Sequence, residues 1–395
     1  MPPIIWFCVI ALVGALVPTI TAPTSVAAQP GRPPCPTGRA GPIQLAIRPA
    51  ERARPLKAIS KSPRPAALVD GSRRPHPGYS GVVGQLDIDT VVIAPRRSKP
   101  GRSAKGISPL TGKRSKRANQ PAVVVKVANT PRAIPQTGLH KADIVIEEQV
   151  EGGLTRFLAI FQTKQAVVGP VRSIRSTDIA IVNSLNTPAV LFSGGNRTFV
   201  DLIRQQDIIE VSEGRCPNSY RRISARKPPY NLYTRTGVVA QGIDSKAPPT
   251  QFRFRRKGDK TGGVRARRAR ITYSANLVDW QWHPKKKVWQ RWQKGRPHTV
   301  AAGKQISAEN VIIVEVKRVD SGLRDSGRNV VTEDIFVGDG RALILTKGRV
   351  IRAHWNRPSL SSVPTFVERK SGKLVRITRG KTWIQMAARG EYAVE

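Results

Sequence analysis

The sequence predicts an α+β protein in which a layered α/β domain is followed by a β-rich, sandwich or barrel-like domain. Three observations carry this. Between 121 and 242, short β-branched runs alternate with stretches of helical pattern, as they do in layered α/β folds. Beyond 270 the helical pattern stops, and short runs separated by Gly-containing turns take over. The stretches at 29–120 and 243–270 are rich in Pro, Arg, Lys and Ser, and have too little apolar surface to offset the entropy of ordering.

The chain accordingly divides into a signal peptide at 1–28, a basic disordered tether at 29–120, an α/β domain at 121–242, a basic linker at 243–270 and a β-rich domain at 271–395. Ile4 to Val17 is almost wholly apolar, yet shorter than the ~20 residues that a membrane helix needs. Val26-Ala27-Ala28 then offers a small-x-small cleavage site, so the mature protein is expected outside the cytoplasm. Cys8 leaves with that peptide. Cys35 and Cys216 remain, and whether they pair is open at this point; three cysteines exclude a disulfide scaffold. Within the tether, Val82 to Ala94 is the one candidate strand. Arg97 to Arg117 suits adhesion to an anionic membrane surface, at ~1 kcal/mol per basic residue.

In the first domain the expected strands are Ala122 to Ala128, Asp143 to Glu148, Arg156 to Gln162 and Ala189 to Phe192. The expected helices are Ile179 to Leu185 and Asn196 to Gln205, the second with Phe199, Leu202 and Ile203 on one face. Gly152-Gly153 and Gly169-Pro170 turn the chain, and the loops at 151–156, 169–178 and 193–196 should converge at one cleft, where open α/β sheets bind ligands. Lys227 to Thr234, KPPYNLYT, closes the domain. In the second domain Asp279 to Trp292 alternates aromatic and polar residues across a turn at His283 to Lys287, which indicates a hairpin. Further strands are expected at Val311 to Val316, Ala342 to Thr346, Val350 to His354, Thr365 to Glu368, Leu374 to Thr378 and Thr382 to Met386.

The net charge of +41 favours polyanionic partners. The expected compartment argues against nucleic acid and for an anionic envelope polymer or an envelope protein. There is no phosphate loop, HExxH or GxSxG, and the five histidines are scattered, so neither metal nor cofactor is expected. The unusual chemistry lies in Glu147 to Val182. Arg172 and Arg175 precede a helix start at Ser176 to Asp178, with Ser176 or Thr177 as its cap, which makes an anion site of guanidinium forks and exposed N–H groups. Glu151, Arg156, Arg172, Arg175, Ser176, Asp178 and Asn231 are the candidate binding residues. The alternative is a cell-wall glycan hydrolase using Glu148 and Glu151 as paired carboxylates, whose spacing around a Gly-Gly bend suits a retaining or an inverting geometry.

ADIVIEEQVEGGLTRFLAIFQ, GPVRSIRSTD and KPPYNLYT, followed by VDWQW, KVWQRWQKGRPH, ENVIIVEV, GDGRALILTKGRV, AHWNRPS and KTWIQMA, give the chain its family likeness. In this order of motifs, from Pro121 to Met386, it resembles the YerB-like family of bacterial envelope lipoproteins, built on paired domains of unknown function. The resemblance implies an envelope-attached protein with an α/β first domain and a β-rich second, and it carries over no catalytic residue. Two departures stand out: the lipid-attachment box of many members is missing, and Tyr230 stands where the family commonly has His.

Overall fold

Strand β1, Val123–Asn129, shows how the fold is laid out. All seven of its residues are buried, and side-chain alternation sends Val123, Val125 and Val127 to one core and Val124 and Lys126 to the other. A strand buried on both faces has no polar phase, which is why it reads as an unbroken β-branched run. The computed structural model describes residues 35–36, 106–325 and 328–395. The expected signal peptide and the candidate strand Val82 to Ala94 lie outside the described residues. The described residues, from Cys35 to Glu395, form one compact unit.

β2 (Ile144–Gln149) and β3 (Thr155–Phe161) form an antiparallel hairpin, and β3 then pairs antiparallel with β1. Helix α1 (Ser176–Val182) leads to β4 (Ala189–Phe192), and α2 (Arg197–Arg204) leads to β5 (Ile209–Ser212); both strands continue the sheet in parallel beyond β1. In the second half β6 (Arg268–Tyr273), β7 (Asn276–His283) and β8 (Val288–Gln293) build a second sheet. β9 (Asn310–Glu315), β10 (Gly338–Thr346), β11 (Arg349–Arg357), β12 (Thr365–Glu368) and β13 (Thr382–Ala387) return to the first sheet.

The junction is made by β13, which lies parallel to β2 on one side, with Ile146 opposite Ile384, and parallel to β9 on the other. The first sheet therefore runs without a break across the boundary that composition marks at 243–270. One of its faces carries α1 and α2; the other packs on the second sheet through Trp280, Trp289 and Ile271. The architecture is the expected α+β one, a mixed α/β first half followed by a β-rich second.

Several expectations shift. Helix α1 begins at Ser176, earlier than the apolar run at 179–185 suggests, and Asn183–Leu185 continues as a single 3-10 turn. Leu202 is exposed, while Phe199 and Ile203 are buried. Leu374 to Thr378 makes isolated bridges through Leu374 and Ile377 in place of a strand. Order starts before 121: Leu110 is fully buried, and Ser108 donates to the Gln162 side chain at 2.8 Å, so residues 106–120 dock on the core and are no disordered tether. Part of the expected linker also packs. Phe252 and Ala266 are buried, and Val264–Arg265 pairs with β11.

Gly152 and Gly153 both adopt positive φ, 66° and 68°, which an ordinary side chain resists. A Cβ on Gly153 would also sit 2.5 Å from that of Ser274. Backbone conformation and close approach thus both explain that pair.

Cys35 and Cys216 form a disulfide, with Cα atoms 5.6 Å apart, spanning 181 residues of sequence. The sequence left this pairing open. Closing so long a loop restricts the unfolded chain, so Cys216→Ser is expected to lower stability by about 2–4 kcal/mol. Denaturant unfolding of oxidised wild type against the variant measures it, and coincident midpoints would contradict the expectation.

Candidate functional site

β1 and β4 run parallel, and beyond the end of β4 the loops at 170–175 and 193–196 are tied to each other and to β1 by backbone bonds. The Arg172 N–H donates to the Lys126 carbonyl at 2.9 Å, the Ser193 N–H to the Arg172 carbonyl at 3.0 Å, and the Ile174 N–H to the Gly194 carbonyl at 2.9 Å. Glu151, after β2, reaches into the same place through its carboxylate. The three loops expected to converge therefore do so.

Glu151 is held by two arginines. Arg175 approaches it with both forks, Nε to Oε2 at 2.7 Å and Nη2 to Oε1, while Arg156 Nη2 donates to Oε1 at 3.0 Å. The remaining donors face main chain: Arg156 Nη1 reaches the Ser173 carbonyl at 2.8 Å, and Arg175 Nη1 reaches that of Ile174 at 2.7 Å. Burial opposes ionisation of Glu151, but the Arg175 hydrogen bonds and the charges of Arg156 and Arg175 outweigh it and hold the carboxyl at about 2. Burial, together with the Arg175 charge, lowers Arg156 to about 10. These three side chains satisfy one another.

The helix start is also occupied. Arg175 is the N-cap residue, and neither Ser176 nor Thr177 caps the helix. Asp178 sits in the first turn, where its Oδ2 accepts the Arg175 N–H at 2.7 Å. The expected anion position at the head of the helix is thus filled by the protein's own carboxylate. Asp178 Oδ1 also accepts from Lys126 Nζ at 2.7 Å, and Lys126 binds Glu148 as well. All three side chains are fully buried, and one ammonium serves two carboxylates. Burial, and after it the Asp178 charge, pushes Glu148 up to about 8. Glu148 and Glu151, the two carboxylates of the hydrolase reading, are both bound within the fold, one beside Lys126 and one in the arginine clamp.

Arg172 differs from its neighbours. It is half-buried, its guanidinium lies 5.6 Å from the centre of the Tyr230 ring, and it forms no salt bridge among the described residues. Asn231, next to Tyr230, is buried and accepts from Arg222 Nη1 at 2.8 Å, so it stiffens the wall behind the ring. Ser176 is buried, and its hydroxyl has no hydrogen-bond partner among the described residues.

The opposite face of β2 holds a polar cluster that sequence inspection missed. Glu147 accepts from Arg291 Nη2 at 2.8 and 2.9 Å, from Gln385 Nε2 at 2.8 Å and from the Thr155 hydroxyl at 2.8 Å. Arg291 also binds His298 Nδ1, and His298 Nε2 donates to Gln136 Oε1 at 2.8 Å. Burial and the Arg291 charge hold His298 well below its ordinary pKa. The available signal was the period-two phase of VWQRWQ, which puts Arg291 on the same side as the buried Trp289. A cavity of about 710 Å³ lies elsewhere, between residues 253–262 and 368–376, and contains none of the expected site residues.

Residues 110–252 match the N-terminal domain, and residues 269–384 the C-terminal domain, of a family described as protein of unknown function (DUF3048). The YerB protein of Bacillus subtilis (strain 168), which bears the designation of a candidate lipoprotein, is 29% identical over 303 residues, covering 73% of this chain and 88% of that one. The chain belongs to the YerB-like family. The crystal structure of Bacillus subtilis YerB superposes with a TM-score of 0.63 at 27% identity, covering 73% of this chain and 99% of the YerB chain. The family's paired domains thus meet in the continuous first sheet, with β13 as the seam.

Proposed function

We propose that this chain is an exported, envelope-associated accessory protein without catalytic activity, which binds an anionic group at the cleft beyond β1 and β4. The observation that carries this is Arg172. Its main chain is fixed on both sides by hydrogen bonds to Lys126 and Ser193, and its guanidinium rests near the Tyr230 ring, yet it forms no salt bridge among the described residues. A pre-positioned fork suits a carboxylate or phosphate on an envelope polymer or partner protein. Family membership and the designation of the Bacillus relative support the envelope setting; the disulfide suits an oxidising compartment. Arg156, Arg175, Asp178 and Glu151 then form the scaffold that holds the Arg172 loop. No observation on Glu148 or Glu151 favours the hydrolase alternative.

Lysine keeps the charge and loses the fork, so Arg172→Lys is expected to weaken binding of anionic wall-glycopolymer fragments ten- to a hundredfold, the loss of one charge-assisted hydrogen bond. Its melting temperature should stay near that of wild type, whereas Arg175→Ala should lower it. Calorimetric titration beside thermal unfolding separates the two. Undiminished binding by Arg172→Ala would refute the assignment.

A further inference from the structure

We propose that the β-rich half carries a second anion site, the cavity between residues 253–262 and 368–376, and that it takes a phosphate-bearing ligand. The cavity, of about 710 Å³, is within the size range of small-molecule sites, about 300–1,000 Å³. Arg253, Arg255, Lys260, Lys373 and Arg376 line it, against only two acidic residues. None of these five cations forms a salt bridge among the described residues. Both acids are already engaged: Asp259 Oδ2 accepts the Arg256 N–H at 2.8 Å, and Glu368 Oε2 accepts the Ser371 hydroxyl at 2.6 Å.

Arg255 points most directly to a ligand. It is only 8% exposed, its Nη1 donates to the Lys260 carbonyl at 2.7 Å, and its buried Nε has no hydrogen-bond partner among the described residues. Its main chain is fixed by the Ile377 carbonyl at 2.9 Å, and its own carbonyl accepts from Arg379 Nε at 3.2 Å. Asp259 lies in the same lining and offsets part of the Arg255 charge, but a buried guanidinium that no carboxylate contacts directly is costly, and an incoming anion lowers that cost. Convergence of five cations from two chain segments suits a group with several charged oxygens, such as phosphate, better than a single carboxylate. Ile351, Leu374 and Val375 form an apolar wall of the same cavity, and Leu374 is 48% exposed, a place for hydrocarbon attached to the phosphate.

This site is independent of Arg172, so the test is made in the full-length Arg172→Ala protein at about 0.15 M salt, where exposed charges are screened beyond about 8 Å. Inorganic pyrophosphate is the probe. Saturable binding is expected, weakened at least tenfold by Lys373→Gln with Arg376→Gln and less than twofold by Lys285→Gln with Lys286→Gln at the β7–β8 turn. A short-chain phosphatidic acid, used below its micelle concentration, distinguishes the source. Tighter binding than pyrophosphate, reversed by Leu374→Ser, assigns a lipid headgroup; equal binding assigns a free phosphate. Absence of saturable pyrophosphate binding, or equal losses in the two double variants, would overturn the proposal.

Discussion

Arg291→Met is expected to destabilise the protein by about 3–5 kcal/mol, because it leaves Glu147 as a buried charge without its partner. Glu147 and Arg291 are both fully buried, and the guanidinium also lies 5.4 Å from the ring centres of Phe157 and Trp383. The loss is therefore one of ion pairing and hydrogen bonding together. Adding Glu147→Gln to Arg291→Met should restore part of it, since replacing both members of a buried pair is often near neutral. Denaturant unfolding of the two variants beside wild type is the measurement. If Arg291→Met unfolded within ~1 kcal/mol of wild type, the cluster would not be holding the two halves of the chain together.

The second large effect is expected at Lys126, the single cation between Glu148 and Asp178. Lys126→Met leaves buried Asp178 without its cation, beside a Glu148 that holds its proton at neutral pH, again costing about 3–5 kcal/mol. The same cluster makes stability depend on pH in an unusual direction. Folded Glu148 keeps its proton up to about pH 8, whereas an ordinary glutamate in the unfolded chain loses it near 4.5. Between those values the folded state binds more protons than the unfolded state, so this group's contribution falls as pH rises and levels off above about 8. Glu151 acts in the opposite sense: its folded value, about 2, is below the ordinary 4.5, so its contribution is full above 4.5 and is lost as pH falls through about 2. Glu148→Gln should flatten the decline between about pH 4.5 and 8 and leave the acid limb in place. An unchanged decline in that variant would assign it to another group.

Much of the first half was legible in the sequence because its strands are buried on both faces and leave continuous β-branched runs. Ala189–Phe192 falls where composition places it, and β1, β2 and β3 shift by about one residue at their ends. Strands that mix charge into the run escaped notice, Ile209–Ser212 among them, where Glu210 is buried against Arg204. Residues 243–270 look like a linker because arginine dominates them, yet scattered residues such as Phe252 and Ala266 are enough to dock the backbone. Around the candidate site, residue types suggested the right neighbourhood, but pairing could not be inferred from them. Nothing local distinguishes Arg172, which forms no salt bridge among the described residues, from Arg175, which clamps Glu151 across 24 positions of sequence. The Glu147–Arg291 pair spans 144 positions, and its geometry exists only once β2 and β8 are packed together.

The position of β13 bears on when this protein can fold. Residues 382–387 are among the last of the described chain to leave the ribosome, yet they occupy the middle of the sheet, between β2 and β9. Until they are made, β2 has an open edge and the two halves have no common seam. Pairing across so many residues is also slow, because the ends of a long loop must find each other first. A chain built this way cannot close its first sheet before residues 382–387 have been made, so the order of synthesis and the order of the sheet run against each other.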